Sequence, residues 1–551
     1  MARTPLLGKL QGLYRDFEEA DRSGKPVEQV QEERRRAWTR RDFMKAAGAT
    51  VGAAAFGGPI TAFAGQGPPR IAIVGGGIAG LNAALTLHDA GYASTVYEAS
   101  NRVGGRMHSD TTSWNGQVSE HCGELIDTGH KTIQGLAKRF GFGLTDLLAA
   151  QPNQSTDTFY FFGSYYNDDQ ANIDFKPVYN QVHGDASAAG FPTLYNQSTP
   201  RGVELDHMSL YDYIETYVPG GHGSPMGRLL DVAYNTEYGG ESTVQSSLNL
   251  IYLLAYQPQP GDFRIFGLSD ERYHVTGGNE QIPQAIKKAL PDGGVKLGWA
   301  LTGIVMNADG TWNLTLSTPS GRTTAIADHV IMAIPFSVLR TLLNNSHAYR
   351  AAGFDSLKQT AIQQLGYGTN SKLHLQFYHR LWNTSQWNST GTISTGYTFT
   401  DDGYQNTWDV TRGQPGTPGI LVNYTGGNPG ASFTGDPTDQ ALVNSYARAF
   451  LQKLEPVFPG ITNQWINGKA TLDFPAGNPY LLGSYSFWKV GQYTQFSGYE
   501  KARQPDPLTG KCHFAGEHCS INFQGYMEGG AEEGARAANE ILGDYKARIF
   551  P

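Results

Sequence analysis

Gly75, Gly77 and Gly80 stand in a G-x-G-x-x-G pattern, directly after an apolar run at residues 70–74 and ahead of a helix-like run at 81–90 that Gly91 closes. That order suits a phosphate cradle. The first glycine permits a tight turn, the second lets the backbone approach a pyrophosphate, and the third lets helix and strand pack closely. The free N–H groups at the helix start then face the phosphates. A second short run at 94–97 ends in Glu98, a carboxylate placed about twenty residues on to accept from ribose hydroxyls. Together these residues read as a dinucleotide site.

The next segment distinguishes between dinucleotides. Glu98-Ala99-Ser100-Asn101-Arg102-Val103-Gly104-Gly105-Arg106 resembles the E-x(3)-R-x-G-G-R run of the flavin-containing amine oxidase superfamily, which includes monoamine, polyamine and L-amino-acid oxidases. The resemblance implies FAD, with Glu98, Arg102, Gly104 and Gly105 against the cofactor and Arg106 reaching its phosphates. It extends to Leu301, whose backbone would meet the adenine, and to Phe514-Ala515-Gly516-Glu517-His518, with Glu517 towards the ribityl chain. Gln524-Gly525-Tyr526-Met527-Glu528-Gly529 is similar to a monoamine oxidase string. It leads into an expected helix over 531–542 that would aim its N-terminus at the flavin's pyrimidine end.

What the resemblance implies for catalysis rests on three residues. Lys372 would hold a water against flavin N5 and help oxygen accept electrons by stabilising negative charge. Tyr485 and Tyr526 would flank the substrate nitrogen with their π-faces. The implied reaction is oxidation of an amine, with O2 reduced to hydrogen peroxide. Two departures from the family pattern matter. Ser484 stands where monoamine oxidases carry a flavin-linked cysteine, so FAD should be held non-covalently. Ile126 stands where typical L-amino-acid oxidases place an arginine for the substrate carboxylate; Glu124 and Asp127 nearby would favour a cationic substrate or form structural ion pairs. Against that, residues 245–250 and 272–279 resemble bacterial oxidases of basic L-amino acids. The expected substrate is therefore a basic L-amino acid such as arginine or lysine, with a primary amine or polyamine as the alternative and a flavin amine dehydrogenase as a further one. His130 and His274 read as hydrogen-bonded core residues.

These residues need an α/β frame: a Rossmann-like FAD-binding domain with an inserted α+β substrate-binding domain. At 551 residues the chain is too long for one core. The motifs place the FAD domain at 65–130, 262–336 and 476–551, and the substrate domain at 131–261 and 337–475. A strand is expected over 296–305, and another at 329–335 returning to the FAD domain.

Residues 1–64 read as a targeting segment. A polar stretch leads to Thr39-Arg40-Arg41-Asp42-Phe43-Met44-Lys45, then an Ala/Gly-rich stretch ends in Ala62-Phe63-Ala64, the order of a signal peptide with a small-x-small cleavage pattern. The paired arginines resemble a twin-arginine signal, implying export of the folded, flavin-loaded protein to the periplasm or beyond. No later run reaches membrane-spanning length, so no stable membrane insertion is expected. The net charge is −8; residues 1–64 are net +3, leaving −11 for the rest. That surface argues against a nucleic-acid partner and is compatible with a cationic substrate; a homo-oligomer is a separate expectation. Cys122, Cys512 and Cys519 form no CxxC pair and no zinc spacing with histidine, so free thiols and no metal are expected.

Overall fold

The computed structural model of the protein describes residues 68–259 and 263–549. The targeting segment read at 1–64 lies outside the described residues.

A five-stranded sheet positions the dinucleotide motif. Its strands lie in the order Cys512–Phe514, His329–Met332, Ile71–Val74, Thr95–Glu98, Val295–Leu297, and all four pairings are parallel. Parallel strands buried on both faces need continuous apolar residues; Ile71, Ala72, Ile73 and Val74 are all buried. The strand order reverses beside Ile71–Val74, and ligands of such sheets bind outside the strands' carboxyl ends at that point.

The helix Ile78–Asp89 starts at Gly77 as N-cap, so the motif's own Ile78, Ala79 and Gly80 are already helical. The C-terminal helix Met527–Ile549 crosses it closely. A Cβ on Gly534 would meet Ala79 O at 2.0 Å, and Asn82 Nδ2 donates to Ala531 O at 2.8 Å. This helix begins four residues before the expected start, because Gly525 (φ +87°) makes the turn and Gly529 and Gly530 lie within the helix. The strand expected over 296–305 is two strands, Val295–Leu297 and Ala300–Met306. Gly298 (φ +71°) breaks it, and the second piece joins a separate three-stranded antiparallel sheet.

A seven-stranded sheet carries the other half of the site, in the order Trp465–Asp473, Ser371–Phe377, Gly419–Thr425, Asn406–Asp409, Ile393–Thr400, Ser155–Phe161, Ser164–Tyr166. Helices including Asp168–Ala189 and Pro225–Tyr238 share its apolar cluster. Two segments assigned by sequence to the substrate region pack elsewhere. Helix Lys131–Arg139 puts Ile133, Leu136 and Ala137 into the cluster around Ile73 and Ile331. Residues 337–342, in helix Phe336–Leu342, put Leu339 into the cluster around Val74 and Met332. Among the described residues no helix is long and apolar enough to cross a membrane.

Candidate active site

One cavity of about 580 Å3 runs from the glycine motif to the seven-stranded sheet. At its dinucleotide end each motif glycine has a distinct job. A Cβ on Gly75 (φ +108°) would strike Ala333 O at 2.5 Å, and one on Gly80 would strike Gly75 O at 2.0 Å. Gly77 differs: nothing lies within 4 Å of its Cβ position, which opens on the cavity. The second motif is laid against the first, since Gly104 N donates to Gly76 O at 2.8 Å. Glu98 braces this turn, accepting from Gly76 N at 2.7 Å and Ser100 N at 2.8 Å.

Arg102 donates to the carbonyls of Val103 and Gly105. Arg106, expected at the phosphates, bridges the two FAD motifs: its Nη1 donates to Glu517 Oε1 at 2.9 Å and to Ser484 O at 2.8 Å. Glu517 also accepts from Ser486 Oγ at 2.7 Å and Gly525 N at 2.9 Å. Burial works against its charge, but Arg106 and these donors hold it below the usual carboxylate range.

The residues present fit FAD. Gly77 leaves the space a pyrophosphate needs. Both ring nitrogens of His518, together with Asn522 Oδ1 and Gln524 Nε2, are buried without a partner, and all three residues line the cavity. Buried polar atoms are ordinarily paired, and a polar ligand would pair these. Burial drops the His518 pKa to about 4, so it meets the ligand as a neutral imidazole.

Lys372 lies on the strand Ser371–Phe377, second in the seven-stranded sheet, and faces the cavity. Its Nζ donates to Glu124 Oε2 at 2.7 Å and to Glu120 O at 3.2 Å, and it sits 5.4 Å from the Trp408 ring centroid. Trp408 Nε1 donates to the other Glu124 oxygen at 2.9 Å. Burial opposes the Glu124 charge, yet Lys372 holds it below the usual range. Glu124 is itself positioned by the 272–279 segment, where Asn279 Nδ2 donates to the carbonyls of Gly123 and Glu124.

Tyr485 and Tyr526 are brought together. A Cβ on Gly525 would touch the Tyr485 ring at 3.5 Å. Both hydroxyls reach Glu237: Tyr526 OH donates to Oε1 at 3.1 Å, and Tyr485 OH to the backbone carbonyl. Tyr424 shares a 2.8 Å hydrogen bond with Tyr485. Glu237 sits in the last turn of helix Pro225–Tyr238, before Gly239 in the left-handed region. Burial, with Asp127 nearby, lifts its pKa to about 7.

Glu271 lies on the same cavity and takes the Tyr397 hydroxyl. Burial first, then the Glu237 charge, lift it to about 8. Its φ of +45° is strained for a non-glycine residue, and Asp127 Oδ1 accepts its N–H at 2.8 Å. Strain of this kind persists where surrounding structure enforces it, commonly at binding sites.

Some expected residues lie elsewhere. Leu301 packs with Val74 and Met332 and is not among the described residues lining the cavity. Ile126 is fully buried in the FAD-domain core, its backbone paired with Tyr273, so position 126 presents no side chain to substrate. Ser484 Oγ donates to Asn370 Oδ1 at 2.6 Å. All three cysteines are free thiols; Cys122 lines the cavity. His130 accepts from Asp127 N, and His274 pairs with Glu120. Glu237, Glu271, Trp408, Tyr424 and His518 were not singled out from sequence. An acid in a helix's last turn opposes the macrodipole, and Glu237 carried that signal.

Comparisons with known proteins agree with this geometry. Residues 78–542 match the model of the flavin containing amine oxidoreductase family. L-amino-acid oxidase of Mus musculus is 23% identical over 497 residues, covering 87% of this chain and 71% of that protein. A putative L-amino-acid oxidase of Bacillus subtilis is 24% identical over 502 residues, 87% and 95% of the two chains. Polyamine oxidase 6 of Oryza sativa is 23% identical, covering 87% and 91%. Among solved structures, cyclohexylamine oxidase from Brevibacterium oxydans superposes with a TM-score of 0.70 at 21% identity, over 87% of this chain and all of that one. Putrescine oxidase bound to putrescine gives 0.68 at 18%, over 86% and 99%. Family model, fold and dinucleotide site agree: the chain belongs to the family of FAD-dependent, flavin-containing amine oxidoreductases.

Proposed function

We propose that this protein oxidatively deaminates an amine that carries a second positive charge, a basic L-amino acid such as arginine or lysine, and passes the electrons to O2 to give hydrogen peroxide. The observation that carries the reading is the pair Glu237 and Glu271. Both are half-buried, both border one cavity, and each carboxylate takes a tyrosine hydroxyl. Two carboxylates that share a low-dielectric cavity repel each other when both are ionised. A dicationic ligand removes that cost by pairing each of them. The carbonyl end of helix Pro225–Tyr238 adds negative potential there.

FAD supplies the chemistry of electron acceptance when bound. Glu98, Arg102, Gly77, His518 and Gln524 would hold it non-covalently, with Ser484 engaged to Asn370. The tyrosines and Trp408 build an aromatic wall that orients the amine and excludes water. Lys372, paired with Glu124, would stabilise the negative charge that develops as oxygen is reduced. The reading includes export by the twin-arginine route to the periplasm or beyond, supported by the order of residues 39–64.

A second reading is a diamine or polyamine oxidase. It is favoured by the described lining residues, whose only arginines are Arg102 and Arg106 of the FAD motif; a carboxylate would ordinarily find a bidentate guanidinium. Peroxide release with matched pairs, arginine against agmatine and lysine against cadaverine, tests both. Faster turnover of the amino acids supports the first reading, and faster turnover of the amines the second.

A further inference from the structure

We infer that Glu237 takes the proton from the substrate's ammonium group and so presents the neutral amine for oxidation. The inference rests on the oxidase reading above. An amine reaches the cavity protonated in neutral water, and an ammonium has no lone pair to form the C=N bond. A group beside the nitrogen must remove one proton.

Position singles out Glu237. Its side chain binds the Tyr526 hydroxyl and its own carbonyl binds the Tyr485 hydroxyl, so one residue touches both rings between which the nitrogen is expected. Glu271 instead holds Tyr397, whose ring stacks 5.8 Å from Trp408, and is left to hold the second charge. Glu124 is spent on Lys372. The groups facing Glu237 are Tyr234 and Tyr238 from its own helix, Tyr526 from the C-terminal segment, Tyr485 and Tyr424 from neighbouring strands and loops, and the acids Asp127 and Glu271. None is a cation, so the carboxylate retains its basicity. In the step, one N–H bond breaks and its electron pair stays on nitrogen. An O–H bond forms on the Glu237 carboxylate. Charge is conserved, and the carboxyl returns its proton to water once product leaves.

The test is the pH profile of kcat/KM for the better substrate of the matched pairs, with wild type, Glu237→Gln and Glu237→Asp. Glu237→Gln should lose on the order of 10²- to 10³-fold at neutral pH. It should recover towards wild type as pH approaches the substrate amine's own pKa, where no base is needed. Glu237→Asp should keep an acid limb, displaced along the pH axis. Parallel profiles for wild type and Glu237→Gln, or a Glu237→Asp enzyme with no acid limb, would overturn the proton transfer alone. Wild-type enzyme that consumes no amine at any pH would overturn the oxidase reading and this inference with it.

Discussion

Glu237 and Tyr526 are joined by a 3.1 Å hydrogen bond inside the cavity, where an acid, the aromatic wall and the end of helix Pro225–Tyr238 meet. Glu237 and Glu271 are both held above the ordinary carboxylate range, at about 7 and about 8. A carboxyl whose pKa is raised by folding binds more protons folded than unfolded. Its contribution to stability is therefore complete below the unfolded value near 4.3 and is lost as pH rises through the folded value. Without substrate, the midpoint of thermal unfolding should fall between about pH 5 and pH 8. The double variant Glu237→Gln/Glu271→Gln should flatten that slope, and saturating lysine or arginine should reduce it in the wild type. An unchanged slope in the double variant would remove these residues from the account.

Glu271→Gln should weaken binding of a substrate's second charge. Losing a charged hydrogen bond costs about 1.5–3 kcal/mol, so KM for lysine or arginine should rise roughly 10- to 100-fold. KM for uncharged-side-chain analogues such as norleucine should stay within about threefold. Steady-state peroxide assays decide it; an equal rise for both would show general damage to the cavity.

Lys372→Met should separate the two half-reactions. Reoxidation of reduced flavin by O2 should slow on the order of 10²-fold, while reduction by substrate changes less. The variant also leaves Glu124 buried without its cation, which costs about 3–5 kcal/mol. Lys372→Met/Glu124→Leu should recover much of that stability but none of the oxygen rate. Stopped-flow oxidation and thermal unfolding check the two parts independently.

Gly77→Ala and Gly80→Ala should differ in kind. The Gly80 Cβ would lie 2.0 Å from Gly75 O, so this variant should unfold at lower temperature with or without FAD. The Gly77 Cβ enters open cavity, so Gly77→Ala should fold normally yet bind FAD about tenfold more weakly or worse, about 1.4 kcal/mol. Flavin titration of the apoprotein reads the second effect.

The parallel-sheet fold and the phosphate cradle were legible because their signals are local. Glycine spacing, a strand before it and Glu98 after it reach the same conclusion within thirty residues. The C-terminal helix was harder: it starts at Met527 and not at 531, and Gly530 within it lets it approach the nucleotide-binding helix, where a Cβ would lie 3.0 Å from the Ile78 side chain. Lys372, Tyr485 and Tyr526 were found through family strings, and the structure places all three on one cavity. What sequence spacing could not show was company. Glu237 and Glu271 are 34 positions apart in unrelated segments, and only the packed chain makes them neighbours. Ile126 shows the reverse: a position that matters in the family's pattern faces the core here, so its identity carries no information about the substrate.

Anaerobic mixing followed by admission of air tests the central claim most directly. Arginine or lysine should bleach the visible absorbance of the bound oxidised flavin, and air should restore it with one hydrogen peroxide formed per flavin. Flavin that stays oxidised with both amino acids and their amines, or that is bleached but not restored by oxygen, would contradict an oxidase of cationic amines.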